Sequence, residues 1–293
     1  MAREATGEPT ATADVTRIDP IAGATRPLRD LLAVEEPLEI HLNGWRWLAT
    51  MRTPGHDADL VLGMLASEGV IASAAEVEQI VFRRHPEEPE FANLAAVHLA
   101  PAVEDLRARL ARNQTLATAS CGLCGASSVA ALLRRRPPLA SGPTVDAAVL
   151  AALPARLAER QDVFRATGGL HGAALCGLDG ACAAVREDVG RHNAVDKVLG
   201  WCLRAARAPA APILLVSGRA SFEIVQKALV AGIPIVAAVS APSSLAVRLA
   251  EDAGMTLAGF VREGGFNVYA GAERITTRAG ALARRVGPAR EHA

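Results

Sequence analysis

Apolar and polar side chains alternate over residues 36–51, on both sides of the dipeptide Asn43-Gly44. Because successive side chains of a strand point to opposite faces, this pattern predicts a hairpin with a tight Asn-Gly turn. Over residues 57–68 the apolar residues recur at helical spacing and Gly69 follows, which predicts a helix that ends there. Further elements of this half are predicted as strands over 76–83 and 92–99 and helices over 102–112 and 130–134.

The second half of the chain shows short apolar runs that alternate with amphipathic segments. It begins with a predicted helix over 145–165, a hairpin about Asp179-Gly180 and a helix capped by Asn193. Strands over 212–217, 234–239 and 256–261 then alternate with helices over 221–231 and 243–253. This βαβαβ order indicates a parallel sheet covered by helices, and ligands of such sheets bind at the carboxyl ends of the strands.

The expected fold class is therefore α/β, with helices and strands mixed, in two domains. A charged, proline-rich stretch over residues 134–143 marks the boundary between them. The N-terminal domain is α+β and ends in a cysteine motif and the helix after it, and the C-terminal domain has a mainly parallel sheet. We place a disordered tail over 1–23, the two domains over 24–140 and 141–280, and a second tail over 281–293.

The charge balance excludes a broad electrostatic attraction to nucleic acid or to an anionic lipid surface. Lys and Arg together number 31, as do Asp and Glu, so any anion site has to be local. The N-terminus lacks the pattern of a secretory signal, and prolines and serines interrupt the most apolar window, residues 228–247. We expect a soluble, cytoplasmic protein.

Two of the five cysteines, Cys121 and Cys124, stand in the glycine-rich stretch ASCGLCGASS. A reducing compartment argues against a structural disulfide. A closed zinc site needs four ligands, and the sequence has neither a second CxxC nor an HxxxH pair. A redox dithiol and a thiolate that carries a chemical group on a flexible loop both remain open. The other cysteines, Cys176, Cys182 and Cys202, are interpreted as buried small side chains.

Two polar stretches of the second half suit a nucleotide or another anion. Eight of the twelve side chains in residues 186–197 are polar or charged, at the start of a predicted helix. There Arg191 and Lys197 can hold phosphate. The alternative interpretation is that this stretch is a solvent-exposed surface without a ligand. Residues 217–221 join a buried strand to a helix, and their hydroxyls, guanidinium and backbone amides also suit phosphate.

Taken together, these stretches resemble the formate dehydrogenase accessory sulfurtransferases, the FdhD family. The resemblance rests on EPLEIHLNG, MRTPGHDADLVLGMLASEG, CGLCG, FRATGGLH, REDVGRHNAVDK, SGRASFEIVQKA and VSAPSSLAVRLAEDAGMTLAGFVREGG, which cover most of residues 36–270. It implies a sulfurtransferase that takes persulfide sulfur from a cysteine desulfurase. The sulfur goes to the molybdenum (or tungsten) bis(guanine dinucleotide) cofactor, as formate dehydrogenase activity requires. The resemblance also implies a cytidine-deaminase-like second domain without zinc.

Carried onto this sequence, the resemblance makes Cys121 the persulfide carrier and Cys124 a relay or resolving thiol. It places cofactor binding on Phe260, Val261, Arg262, Glu263, Gly264 and Gly265. The polar blocks are assigned to the same guanine nucleotide through His171, Arg191, His192, Asn193, Asp196, Lys197, Ser217, Arg219 and Ser221.

The expected partners are a cysteine desulfurase, the formate dehydrogenase catalytic subunit and a second copy of the chain, with no nucleic acid, membrane or structural metal. Two other functions stay open. One is a chaperone that binds the cofactor without moving sulfur, and the other is a CxxC thiol-disulfide reductase.

Overall fold

The computed structural model describes residues 7–84, 93–101, 132–133, 138–139, 142–205 and 212–277. The chain forms two compact units, each built from three segments. The first unit comprises Met1–Cys121, Ala158–Ala173 and Val185–Ala208, and the second comprises Gly122–Leu157, Ala174–Ala184 and Pro209–Ala293. The predicted domain boundary at residue 140 stays a prediction.

The first unit contains a two-stranded ribbon and a four-stranded sheet. The ribbon pairs β1 (Thr10–Asp19) with β2 (Ala24–Ala33). The sheet has the order β4-β3-β6-β5, with β3 (Glu36–Leu42), β4 (Trp45–Arg52), β5 (Val77–Arg83) and β6 (Leu94–Leu99). The predicted hairpin about Asn43-Gly44 is confirmed as the antiparallel pair of β3 and β4.

Apolar residues on every second position of β3 form the core of this unit with helix α1 (Asp57–Ser67). Leu38, Ile40 and Leu42 of the strand are fully buried, as is Leu60 of the helix. Burying such side chains contributes about 1.5–3 kcal/mol each, an upper range for the folded chain. The alternation that predicts the strand is thus the same alternation that builds the core.

Helix α1 packs closely against a second helix of this unit, which spans Arg191–Arg204 and is α4 in chain order. A Cβ atom on Gly63 would lie 1.9 Å from the carbonyl oxygen of Asp196. A Cβ atom on Gly200 would lie 1.8 Å from the carbonyl oxygen of Asp59. Both distances are far below van der Waals contact, so these two glycines permit the close approach of the helices.

A six-stranded sheet has the order β13-β12-β11-β10-β8-β9. Its strands are β8 (His171–Cys176), β9 (Cys182–Asp188), β10 (Ile213–Val216), β11 (Ile235–Ala238), β12 (Thr256–Arg262) and β13 (Gly265–Ala270). The strands β10, β11 and β12 are parallel, and the helices α5 (Phe222–Val230) and α6 (Ser244–Asp252) connect them, which confirms the predicted βαβαβ segment. The remaining elements are α2 (Ala147–Ala158), α3 (Asp162–Thr167) and the parallel pair of β7 (Val145–Asp146) with β14 (Ile275–Thr276).

Three sequence predictions are corrected by the structure. Thr10–Asp19, expected within a disordered tail, pairs along its whole length with β2. Residues 145–165, predicted as one helix, instead form strand β7 and the two helices α2 and α3. The carboxylate of Glu187 accepts hydrogen bonds from the first amides of α3 and so starts it as a separate helix. Helix α4 has Gly190 at its N-cap, and Asn193 lies inside its first turn. The predicted helices over 102–112 and 130–134 lie wholly or largely outside the described residues.

Candidate functional site

The predicted site residues are divided between the two units and a stretch outside the described part of the chain. Cys121 and Cys124 lie outside the described residues. Ser217, Arg219, Ser221 and residues 260–265 belong to the second unit. His171 and the five predicted residues of the block 186–197 belong to the first unit.

In the second unit, the segments that follow β10, β11 and β12 are joined by backbone hydrogen bonds. The amide of Ser240 donates to the carbonyl of Gly218 at 3.3 Å, and the amide of Phe260 donates to the carbonyl of Ser240 at 3.2 Å. Ala220 also bridges to Pro242 in parallel register. The carboxyl ends of the three parallel strands therefore lie together, as the predicted topology requires.

Phe260 has a backbone conformation that bulky residues rarely adopt. Its φ is 55°, in the left-handed region, at a β-bulge between Gly259 and Arg262. The preceding Gly259 is tightly enclosed, since a Cβ there would lie 2.9 Å from Pro242. Such a conformation costs an L-residue about 1–2 kcal/mol and persists where the surroundings enforce it, often at functional sites.

An open groove of about 680 Å³ lies along this part of the β12–β13 hairpin, lined by Phe260, Arg262, Gly264, Gly265, Phe266 and Asn267. The ring of Phe260 is partly exposed, at 36%. The predicted residues 261 and 263 do not line this groove, and the side chain of Val261 is buried. The groove thus offers an aromatic ring, a guanidinium and a glycine backbone to a ligand.

The loop after β10 carries three of the predicted site residues, which differ in their exposure to solvent. Arg219 is exposed, and Ser217 and Ser221 are half-buried. Ser221 is the N-cap residue of α5 with an extended backbone, and its hydroxyl makes no capping hydrogen bond to that helix. The equivalent residue of the next helix, Ser243, accepts a hydrogen bond from the amide of Ala246.

In the first unit, the block 186–197 contains a buried ion pair. Lys197 and Asp188 are 1% and 0% exposed, and the Nζ of Lys197 lies 2.7 Å from the Oδ2 of Asp188. The same Nζ donates to the carbonyl oxygens of Thr53 at 2.8 Å and of Glu187 at 3.1 Å. The ammonium of Lys197 is therefore committed within the protein, and its predicted phosphate contact is corrected to a structural role.

Two further residues of the block are also used in packing. The side-chain amide of Asn193 donates to the carbonyl of Met51 at 2.7 Å and to the carboxylate of Asp188 at 3.1 Å. The carboxylate of Asp196 accepts a hydrogen bond from the hydroxyl of Ser67 at 2.9 Å. Because both side chains are buried, Asn193 and Asp196 hold α4 in place and are not presented to a ligand. Arg191, His192 and His171 are half-buried.

Sequence reasoning missed a second buried charge cluster at the start of α1. Arg52 and Asp57 are 1% and 0% exposed, and the Nε of Arg52 lies 3.1 Å from the Oδ1 of Asp57. The other arm of the guanidinium donates to Glu36 at 2.8 Å. Burial raises the pKa of Asp57 despite the neighbouring charge of Arg52. The available signal was the polar run RTPGHD, which ends at the first residue of α1 and places Arg52 and Asp57 next to an apolar helix.

A cavity of about 280 Å³ lies next to this cluster in the first unit. Thr53, His56, Arg160, Arg186 and Glu187 are among its lining residues. Burial raises the pKa of Glu187, whose carboxylate accepts the amides of Val163 and Phe164. The cavity therefore presents charged groups of both signs.

Among the described residues, no group of three or more His, Cys, Asp or Glu side chains is placed to hold a metal ion. In the same part of the chain, no helix has both the length and the apolar character needed to span a membrane.

The fold and the groove define a mixed α/β protein with a ligand-accessible edge at the carboxyl ends of parallel strands. Residues 33–276 match the family model described as FdhD/NarQ, and the chain belongs to this family. A mixed α/β protein of known structure shares the fold, with a TM-score of 0.71 and 25% identity, covering 92% of this chain and 100% of that one. That crystal structure is of a candidate formate dehydrogenase accessory protein from Desulfotalea psychrophila.

Curated relatives are more similar in sequence. The chain is 52% identical over 257 residues to the sulfur carrier protein FdhD of Anaeromyxobacter dehalogenans (strain 2CP-C), covering 85% of this chain and 89% of the relative. It is 52% identical over 274 residues to the sulfur carrier protein FdhD of Nocardia farcinica, covering 92% and 96%. The similarity thus extends over nearly the whole length of both relatives.

Proposed function

We propose that this protein is a sulfur carrier that accepts persulfide sulfur from a cysteine desulfurase. It delivers that sulfur to the molybdenum (or tungsten) bis(guanine dinucleotide) cofactor needed for formate dehydrogenase activity. The observation that carries the proposal is the 52% identity, over 92% of the chain, to a relative named sulfur carrier protein FdhD. The CxxC motif of Cys121 and Cys124 supplies the thiols that such chemistry needs.

The groove of the second unit is the proposed binding site for the guanine nucleotide end of the cofactor, which is the substrate. The exposed ring of Phe260 suits stacking on a purine, and the guanidinium of Arg262 suits a phosphate. Gly264 and Gly265 leave room for a nucleotide to approach the backbone. Arg219, on the loop after β10, is a further phosphate ligand in this proposal.

The sulfur chemistry follows from thiol–disulfide exchange. The thiolate of Cys121 attacks the outer sulfur of the desulfurase persulfide, and the desulfurase cysteine leaves as a thiolate. The Cys121 persulfide then carries the sulfur to the cofactor. Releasing this sulfur as sulfide consumes two electrons, which Cys124 supplies when its thiolate attacks the Sγ of Cys121 and forms a disulfide. An external thiol reduces that disulfide for the next cycle.

The proposed partners follow from the same cycle. A cysteine desulfurase loads the carrier, and the formate dehydrogenase catalytic subunit receives the sulfurated cofactor. We also propose a homodimer in the cytoplasm and a cytidine-deaminase-like second domain without zinc. Since the net charge is zero, recognition of these partners rests on local contacts.

The direct test is the intact mass of the protein after incubation with cysteine and a desulfurase. The wild type should gain one sulfur, about 32 Da, and Cys121→Ala should not. Cys202→Ala is the matched control, because Cys202 is a half-buried thiol without a proposed role, and it should gain sulfur like the wild type. A wild type without the adduct would overturn the carrier function.

Two rival functions predict different results for the same variants. If the protein is only a cofactor chaperone, its Cys121→Ala variant should still activate formate dehydrogenase. If it is a sulfur carrier, the same variant should bind the cofactor and fail to activate the enzyme. A disulfide reductase should lose activity in Cys124→Ala as completely as in Cys121→Ala. A carrier whose Cys124 only supplies electrons should regain activity in Cys124→Ala when excess external thiol is added.

A further inference from the structure

Two cysteines outside the CxxC motif lie in contact across a hairpin of the second unit. Cys176 ends β8 and Cys182 begins β9, and their Sγ atoms are 2.6 Å apart. The structure holds them as two thiols and not as a disulfide. Sequence reasoning interpreted them as separate small side chains, and the proposed sulfur-transfer chemistry does not use them.

The turn between the strands holds the two cysteines opposite each other. The amide of Gly177 donates to the carbonyl of Ala181 at 2.9 Å, and the amide of Gly180 donates back to the carbonyl of Gly177 at 2.9 Å. Gly180 has a φ of 79°, which this turn requires. The guanidinium of Arg156 donates to the carbonyl of Asp179 and packs on the turn. The backbone geometry therefore places positions 176 and 182 side by side before any covalent bond forms.

The two thiols differ in exposure. Cys176 is fully buried, whereas Cys182 is half-buried and its Sγ also lies 3.9 Å from the carbonyl oxygen of Gly180. A reagent in solution can therefore reach Cys182 first. The buried Sγ of Cys176 is already within contact distance of the sulfur that would be modified. This arrangement resembles an attacking thiol with a resolving thiol behind it.

We infer that Cys176 and Cys182 form a site of reversible oxidation by low-molecular-weight disulfides. The thiolate of Cys182 attacks one sulfur of the small disulfide, whose S–S bond breaks and releases one small thiol. The thiolate of Cys176 then attacks the Sγ of Cys182 and releases the second small thiol. Two protein thiols are oxidised to one disulfide, and one small disulfide is reduced to two thiols, so atoms and electrons balance. The reaction as written uses neither Cys121 nor Cys124.

Trypsin provides a test on the wild-type protein. Cleavage after Arg165 and Arg186 releases residues 166–186, which contain Cys176 and Cys182 and no other cysteine. After incubation of the full chain with cystine and then an alkylating agent, this peptide should be about 2 Da lighter than the dithiol form and carry no alkyl group. Dithiothreitol should restore two alkylatable thiols. Recovery of the peptide doubly alkylated, or with a retained cysteine adduct, would overturn the proposal.

Single substitutions separate the two roles. Cys176→Ser should keep a stable cysteine adduct on Cys182, because no resolving thiol remains. Cys182→Ser should react at least about tenfold more slowly, because the remaining thiol is buried. Cys202→Ser is the control and should give the wild-type result in the same peptide. Equal reaction rates of Cys176→Ser and Cys182→Ser would contradict the assigned order, and thermal unfolding of each variant checks that it is folded.

Discussion

In the first unit, the polar residues 186–197 turn their charges inward, while in the second unit the polar segments at the ends of β10 and β12 remain accessible. Asp188 and Lys197 are 0% and 1% exposed, whereas Phe260 is 36% exposed and Arg262 lines an open groove. Each region contains two arginines, at least one glycine and at least one acidic residue. Their difference is whether the charged groups already have protein partners.

This difference separates residues that organise the protein from residues that can bind a ligand. Lys197 contacts one carboxylate and two backbone carbonyls, so a phosphate would have to displace three partners. Arg262 makes a weaker contact, a 3.4 Å hydrogen bond to the carbonyl of Phe260. A charged residue at a helix start therefore indicates a binding site only when its head group is accessible.

The largest expected effect is the loss of the buried ion pair in the first unit. Lys197→Met should lower the free energy of unfolding by about 3–5 kcal/mol, because it leaves the carboxylate of Asp188 buried without its cation. Arg219→Met in the exposed loop of the second unit is the matched control and should change it by less than about 0.5 kcal/mol. Urea unfolding measures both. Equal effects would remove the distinction between the two regions.

A smaller effect is expected from the backbone of Phe260. A φ of 55° suits glycine, so Phe260→Gly should be more stable than Phe260→Ala by about 1 kcal/mol, the relief of strain less the entropy cost of glycine. Both variants lose the aromatic ring, so the difference between their free energies of unfolding reports the backbone conformation of residue 260. The comparison is made by urea unfolding, and an alanine variant at least as stable as the glycine variant would contradict a left-handed residue 260.

A third prediction concerns pH and the buried cluster at the start of α1. Burial raises the pKa of Asp57 in the folded protein, so the folded state holds more protons than the unfolded state between the two pKa values. The contribution of Asp57 to stability is therefore largest at acidic pH and falls as the pH rises through the folded-state pKa.

The variant Asp57→Asn isolates this contribution from the other carboxylates of the protein. Its unfolding free energy should fall less with rising pH above about 4 than that of the wild type, since it cannot titrate. Arg52, Glu36, Lys197 and Asp188 surround this site in both proteins, so their effects are shared. Parallel pH profiles of the two proteins would show that Asp57 does not titrate in this way.

The smallest effect is kinetic. Burial raises the pKa of the Cys202 thiol, so less thiolate is present at pH 8 than in a free cysteine. Iodoacetamide should alkylate Cys202 more slowly in the folded protein than in the protein unfolded in urea, and mass spectrometry of the tryptic peptide that contains Cys202 measures both rates. Equal or faster alkylation in the folded protein would contradict the burial of Cys202.

The local elements were largely predictable, because short-range patterns specify them. Apolar runs bounded by Gly or Pro gave the βαβαβ segment, and Asn43-Gly44 gave the hairpin. The N-terminal ribbon was missed because most of its side chains are exposed, so the pattern of burial that indicates a strand is weak there.

Long-range partners account for most of what sequence reasoning did not predict. Asn193 has the composition of a helix cap, yet its amide bonds to the carbonyl of Met51, 142 positions away. Likewise, Lys197 stands in a polar stretch near the start of a helix, a composition that suggests a phosphate-binding site. In the structure its ammonium instead donates to the carbonyl of Thr53, which is distant in sequence. The left-handed backbone of Phe260 arises from the bulge in β12 and has no signal in composition. The CxxC motif remains a prediction from the sequence.

The most direct test of the contrast between the two regions is the binding of GDP, a probe for the guanine nucleotide end of the cofactor, by isothermal titration of the full-length protein. Phe260→Ala and Arg262→Ala should weaken binding by at least about tenfold each, since each removes a contact worth about 1.4 kcal/mol or more. Arg17→Ala, an exposed arginine of β1 in the first unit without a proposed role, should change it by less than about twofold. Unchanged affinity in both groove variants would contradict the account.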